Sequence, residues 1–269
     1  MVRPPHGRQA RLVRRRHFFE HLAGAAVVTA CGPALRAPAH AALAPRAVGG
    51  VRAVAFDLLT IFDPRGVERR VAALVGENPA FAKTWKTRLF EYCWLRSAAG
   101  QYVDFDHLVR DSLVHAAEAH RVSMTDGVRA QLEASFTELS PWPDAPAALR
   151  DLRARGLRLA PLANFTPRAI EALVARAGLR DVFEALLSTD QARTYKPDPR
   201  AYALAETSFG LPRAEIAFAA FGGWDTAGAR WYGYPTFWVN RLGATPEQLV
   251  AADASGPDLE HLVTWVSTR

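Results

Sequence analysis

Cysteine is scarce in this chain: of 269 residues only Cys31 and Cys93 are cysteines. If the chain is cut after Ala41, Cys93 stands alone and no intrachain disulfide can form, so cysteine usage does not report a redox compartment. Long apolar runs are missing too. The longest candidate near the start, "HLAGAAVVTA" (21–30), is weakly apolar and far below the roughly 20 residues that a membrane span needs. Acid is nearly missing from the first 46 residues, which hold eight Arg, no Lys and a single acid, Glu20, for a local charge of +7 against +6 for the whole chain. The remainder is therefore close to neutral, and the basic balance belongs to the tail, which implies no nucleic-acid partner for the folded part. No internal repeat is present.

With 49% hydrophobic and 22% charged residues, the chain has a globular composition and is long enough for one large domain or a core plus an insertion. Arg14, Arg15 and Arg16 precede "HFFE", and "RRHFF" resembles a bacterial twin-arginine export signal, with Glu20 where such signals usually carry lysine or a neutral residue. The segment implies export machinery as a partner of the precursor and a periplasmic or exported product. Two ends are open to it: cleavage after Ala41 in "AHA", or a lipid-anchored end at Cys31 in "VTAC". If residues 1–46 are instead an unprocessed extension, the protein is cytoplasmic. Pro33 to Arg46 is a linker by composition.

From Val51 onward, short apolar runs alternate with amphipathic helical patterns. Strands are expected at Val51–Phe56, Leu157–Leu162, Ala185–Ser188, Ile216–Phe221 and Thr236–Val239. Helices are expected at Pro146–Arg155, Pro167–Ala177, Pro199–Phe209 and Thr226–Tyr232. That alternation predicts an α/β fold, a Rossmann-like core with a parallel sheet. Between the first two strands lie helical patterns near 66–75, 79–98 and 104–121 and a fourth from Thr125, with no convincing strand. The expected division is thus an export signal and linker at 1–46, a core of 47–65 and 140–269, and a helical cap of 66–139 inserted after the first strand.

Four strand ends deliver polar groups. Asp57 follows the first strand in "VAFDLLTIFDPRG", Asn164 follows the second in "LANFTP", Lys196 lies in "TYKPDPRAY", and Asp225 lies in "FGGWDTAGAR". Each has a structural explanation as well: Asp57 caps a turn, Asn164 closes one, Lys196 sits in a loop, Asp225 caps a helix. Together, at the strand ends where α/β sheets bind ligands, they form a constellation. None of the eight His joins it and Cys93 has no partner, which argues against a zinc site or a thiol nucleophile.

Here the chain resembles the haloacid dehalogenase superfamily, and within it the type II 2-haloacid dehalogenases, over residues 51 to about 265. "WKTRLFEYCWLRSAAGQYVDF", "YKPDPRAY" and "WDTAGARWYGYPTFWVNR" carry the likeness to that branch. The resemblance implies hydrolytic dehalogenation of short 2-haloalkanoic acids to 2-hydroxy acids through an ester on Asp57, without cofactor or metal. Lys196 would stay charged between Asp57 and Asp225, Asp225 would activate water, and Thr60 and Asn164 would hold the carboxylates. Phe90, Phe105 and Trp224 would wall the pocket, with Leu59 and Lys86 beside the substrate. A homodimer through cap and core is also implied. Phosphatases of this fold need an acid two residues after the nucleophile, where this chain has Leu59; a departing halide needs no proton there.

The chain also departs from the pattern. Lys86 follows Trp85 where the family has an arginine, keeping charge and losing the fork of donors. Thr60 follows Asp57 by three residues where the family spacing is four, Leu59 replaces an aromatic, and Ala163, Ala220 and Gly222 stand where two serines and an asparagine are usual. Phe221 and the shortened loop suggest a pocket fitted to a smaller leaving group, fluoride or chloride. Two other readings remain open: a magnesium-dependent phosphatase using Asp57 and Asp225 as oxygen ligands, and a catalytically drifted exported binding protein.

Overall fold

The first strand, β1 (Ala53–Phe56), is AVAF, and all four residues are buried. A strand with no polar face must be covered on both sides. In the computed structural model, which describes residues 50–268, β1 lies at the centre of a parallel sheet with β2 (Arg158–Ala163), β3 (Leu187–Ser188), β4 (Ile216–Ala220), β5 (Thr236–Val239) and β6 (Ala254–Gly256), in the order β3-β2-β1-β4-β5-β6. Ala55 pairs with Ala160 on one side and Phe218 on the other.

Alternate residues separate into two cores. Val54, Phe56, Leu159 and Ala217 face one, built largely with the helices of the inserted segment and those packed beside them; Ala53, Ala55, Ala160, Ile216 and Phe218 face the other, with Tyr202, Phe209 and Tyr234. Pro161 in β2 lacks a backbone donor. It pairs with Phe56, but β3 joins β2 only at Leu162 and Ala163, so the proline lies outside that second ladder.

Between β1 and β2 come α1 (Arg65–Val75), α2 (Pro79–Ala99), α3 (Phe105–His120), α4 (Asp126–Ala134) and α5 (Ala145–Ala154). The first four fall where the helical periodicity puts them. Their starts are locally specified: Asn78, Asp104 and Thr125 each accept a backbone N–H of the first turn. The chain leaves and re-enters the core along adjacent paths, Asp63 N–H to Ser140 O at 2.9 Å and Trp142 N–H to Ile61 O at 2.8 Å. Beyond β2 follow α6 (Pro167–Arg176), α7 (Pro199–Phe209), α8 (Gly223–Tyr232) and α9 (Leu259–Ser267).

Two elements were not anticipated. The edge strand β6 reads Ala-Ser-Gly, with neither bulk nor alternation, and only its pairing with β5 defines it. The helix α9 is short, capped by Asp258, and recognisable through the buried Leu262, Trp265 and Val266. Residues 1–49, including the expected export signal and Cys31, lie outside the described residues. Among the described residues no helix is long and apolar enough to cross a membrane.

Candidate active site

Chain order reverses at β1: β2 and β3 extend the sheet one way, β4 to β6 the other. The carboxyl ends of β1 and β4 therefore diverge into a crevice, the usual ligand position in open α/β sheets. Asp57 stands there. Its N–H continues the ladder to Ala219 O at 2.9 Å, and its Oδ1 accepts the Leu59 N–H at 2.8 Å, capping the tight turn Leu58–Thr60. The structural role leaves Oδ2 free for another partner.

That partner is Lys196, whose ammonium reaches Asp57 Oδ2 at 2.6 Å and Asp225 Oδ2 at 2.8 Å. The lysine is placed by its own backbone, because Lys196 N–H donates to Asn164 Oδ1 at 2.9 Å, and its ammonium lies 5.3 Å from the Phe218 ring. Asp225 is fully buried, and Tyr202 Oη donates to its Oδ1 at 2.6 Å. It is not a helix cap. Gly222 takes that position, and α8 starts at Gly223, three residues earlier than the periodicity suggested, so Asp225 lies within the first turn. The glycine pair carries no apolar signal, which is why the start was misplaced.

Burial pushes the Asp225 carboxyl up to about 7; Lys196 opposes this, the like charge of Asp57 adds to it, and the Tyr202 bond opposes it. Burial acts to lower the Lys196 pKa, but Asp225 and Asp57 outweigh it and hold the ammonium above its ordinary range. The site thus keeps one persistent cation between a carboxylate on the cavity wall and a buried one poised to take a proton near neutral pH. For turnover limited by a step that uses Asp225 as base, kcat falls about tenfold per pH unit below about pH 7. Tyr202→Phe keeps the ring and removes a bond that favours the charged carboxylate, so the acid limb of the kcat–pH profile moves upward. An unmoved limb would contradict this use of Asp225.

Above the carboxylates lies a cavity of about 450 Å³, within the ordinary range for small-molecule sites. Asp57, Leu59, Lys86, Phe90, Phe105, Asn164 and Trp224 all line it. Phe105 stacks on Phe165 at 4.6 Å, and Phe90 contacts Trp224 at 5.7 Å. Trp85 is buried and also borders the cavity, with its indole N–H spent on Val109 O at 3.1 Å. Lys86 sits at the rim, half-exposed and paired with Glu68 at 3.3 Å. Among the described residues no group of three or more His, Cys, Asp or Glu is placed to hold a metal ion.

Two expected roles change. Thr60 was expected to hold a carboxylate, but its hydroxyl donates to the backbone carbonyl of Asp57 at 2.7 Å and the residue does not line the cavity. A threonine three residues into a tight turn reaches back to the carbonyl that opens it. Asn164 was expected to do the same, yet it presents its acceptor oxygen to Lys196 N–H and, at 3.4 Å, to the Thr189 hydroxyl. It positions the lysine, and its Nδ2 has no acceptor among the described residues. Tyr202 and Arg241 were missed. Arg241 donates to Thr60 O at 2.7 and 2.9 Å and to both oxygens of Asp144, fastening the turn that follows Asp57 to the start of α5. The signal for Tyr202 was its place in "KPDPRAY", on the first turn of a helix directly after the lysine.

A carboxylate at the switch point of a parallel sheet, bridged by lysine to a buried second carboxylate beneath an inserted helical segment, is equipped for covalent catalysis on a small molecule. Known proteins resemble the chain in sequence and fold. The sequence profile of the haloacid dehalogenase-like hydrolases matches residues 51–233. The (S)-2-haloacid dehalogenase of Pseudomonas sp. (strain YL) is 39% identical over 201 residues, covering 74% of this chain and 87% of that protein. A haloacetate dehalogenase of Moraxella sp. (strain B) is 35% identical over 220 residues, covering 81% of this chain and 98% of its own. A solved structure of the L-2-haloacid dehalogenase from Xanthobacter autotrophicus, with chloropropionic acid covalently bound, aligns with a TM-score of 0.75 at 30% identity over 81% of this chain and 98% of that one. The chain belongs to the haloacid dehalogenase-like hydrolases and, within them, to the L-2-haloacid dehalogenase family.

Proposed function

We propose that this protein hydrolyses short 2-haloalkanoic acids to 2-hydroxy acids and halide through an ester on Asp57. A carboxylate oxygen of Asp57 attacks C2 in line with the halogen, the C–X bond breaks, and the halide leaves with the electron pair. Asp225 takes a proton from water, which attacks the acyl carbon of the ester. The bond from the acyl carbon to the oxygen that attacked C2 breaks, and that oxygen takes back the proton held by Asp225 and leaves as the hydroxyl of the product, while the second proton of the water goes to solvent from the regenerated Asp57 carboxyl. Only the first step touches C2, so its configuration inverts. The apolar walls thin out water and strengthen the interactions of Lys196 with both carboxylates.

The observation that carries this reading is the buried ammonium of Lys196 that bridges Asp225 to Asp57, the latter on the wall of an apolar cavity. Leu59 supports it against the phosphatase reading, because its place offers a backbone N–H to Asp57 and no proton to a leaving oxygen. Purified protein is expected to release equal amounts of halide and 2-hydroxy acid from 2-chloropropionate, undiminished by chelator. Chelator-sensitive release of phosphate from phosphoesters, with no halide release, would favour the phosphatase. Binding without turnover of either would favour the drifted binding protein.

A preference for small halides, suggested by Lys86, is the finer part of this proposal; 2-bromopropionate outrunning 2-chloropropionate and fluoroacetate in kcat/KM would remove it. Residues 1–46 we read as an export segment on their sequence alone, and a reporter fused to them reads out the destination. The homodimer rests on the family, and light scattering of the purified protein decides it.

A further inference from the structure

We propose that Ser97, on the inserted helical segment, is a positioning residue for Lys196 and sets where its ammonium stands between the two carboxylates. The inference rests on the dehalogenase reading and gives the inserted segment a duty beyond walling the cavity. Lys196 has no strand or helix to hold it: residues 193–198 are irregular, between the short turn Thr189–Ala192 and α7. Its backbone is fixed by side chains instead. Asn164 takes the Lys196 N–H from the core side, and Ser97 Oγ, in the last turn of α2, takes the Tyr195 N–H at 3.0 Å. Two adjacent peptide N–H groups are thus fastened to residues 32 and 98 positions away in the chain.

Ser97 is also linked to the partner of Asp225. The Thr194 hydroxyl lies between Ser97 Oγ at 3.2 Å and Asp198 Oδ2 at 2.9 Å, and Asp198 caps α7 by accepting the Arg200 N–H at 2.9 Å. In the first turn of that helix stands Tyr202, the donor to Asp225 Oδ1. A second attachment runs in parallel. The Tyr195 ring is fully buried, and its hydroxyl donates to Val103 O at 2.5 Å in the connection between α2 and α3. Neither Ser97, Thr194 nor Tyr195 lines the cavity, so any effect they have on turnover passes through Lys196 and α7.

The ammonium is committed to two acceptors at once, Asp57 Oδ2 at 2.6 Å and Asp225 Oδ2 at 2.8 Å, and a displacement of about 1 Å in such a site can cost about 10²-fold in rate. A backbone free to shift at Tyr195 does not keep both contacts. Asp225 faces Lys196, Asp57 and Tyr202, and of these only Lys196 brings a positive charge that favours the carboxylate. A less firmly placed ammonium therefore lets the Asp225 pKa rise, and fewer molecules hold it as a base at neutral pH.

The test compares wild type with Ser97→Ala, which removes the acceptor, and Ser97→Thr, which keeps a hydroxyl. With 2-chloropropionate, Ser97→Ala is expected to lower kcat about tenfold, the upper end of what one hydrogen bond contributes, with KM within about twofold. The acid limb of its kcat–pH profile moves upward by at least about half a pH unit, and Ser97→Thr regains most of the kcat and the wild-type limb. ¹³C NMR titration of Asp225 in substrate-free protein reads the same upward shift without turnover. Tyr195→Phe keeps the ring, removes the bond to Val103 O and is expected to act in the same direction; it carries the test if Ser97→Ala does not fold. A Ser97→Ala protein that melts at lower temperature, yet below its transition keeps the wild-type kcat, acid limb and Asp225 titration, has lost only a structural bond, and that result would overturn the proposal. If wild type forms the Asp57 ester and Ser97→Ala behaves in this way, the inference fails alone. If wild type never forms the ester, the dehalogenase reading fails, and the Asp225 titration still decides whether Ser97 places the lysine.

Discussion

Asp57→Asn is expected to lower kcat/KM for 2-chloropropionate by at least about 10⁴-fold, as loss of a covalent nucleophile does, while the protein stays folded because Asp225 still pairs with Lys196. The substitution separates the two roles of the residue. Asparagine caps a turn as well as aspartate does, so the bond from Leu59 N–H survives. The amide oxygen is a poor nucleophile and carries no charge to displace a halide. If Asp57 served only the turn, the variant would be as active as wild type. Parallel measurement of halide release and melting temperature distinguishes these outcomes.

Lys196→Met is expected to be the most destabilising substitution in the site, and to cost about 10³-fold in kcat as well. It leaves Asp225 fully buried and Asp57 nearly so, with no cation between them. Removing one partner of a buried ion pair typically costs about 3–5 kcal/mol, and in a chain of this size each kcal/mol lowers Tm by about 2–4 °C. The loss depends on pH. Lys196 acts against burial in holding down the Asp225 pKa, so without it that carboxyl rises further. A carboxyl that binds its proton more tightly in the folded than in the unfolded state favours folding at low pH and loses that support as pH rises through the folded pKa. The deficit of Lys196→Met relative to wild type should therefore be largest above neutral pH and shrink on acidification. Urea unfolding of both proteins at pH 5 and pH 8 measures it; a deficit independent of pH would mean that the two carboxylates do not depend on this ammonium.

The core and the cluster of Asp57, Lys196 and Asp225 were legible in the sequence because they rest on local rules. Runs such as AVAF and IAFAA have no polar face and define buried parallel strands, and polar residues directly after them fall at the sheet's carboxyl edge. Lysine is also rare: only positions 83, 86 and 196 carry it, so a lysine at a strand end stands out in an arginine-rich chain. Roles set by contacts distant in sequence were less visible. Thr60 and Asn164 were placed in the correct neighbourhood, but which atom each presents depends on where the turn carbonyl and the Lys196 backbone lie. Arg241, 181 residues from the turn whose carbonyl it holds, carries no local mark of that duty.

The proposed chemistry sends the oxygen of Asp57 into the product and the oxygen of water into Asp57. A single turnover of excess protein with 2-chloropropionate in ¹⁸O-labelled water, followed by mass spectrometry of the peptide carrying Asp57, tests that exchange directly. The account predicts one ¹⁸O in the Asp57 carboxylate and unlabelled 2-hydroxypropionate; label in the product with Asp57 unlabelled would mean that water attacks C2 itself and that no ester forms.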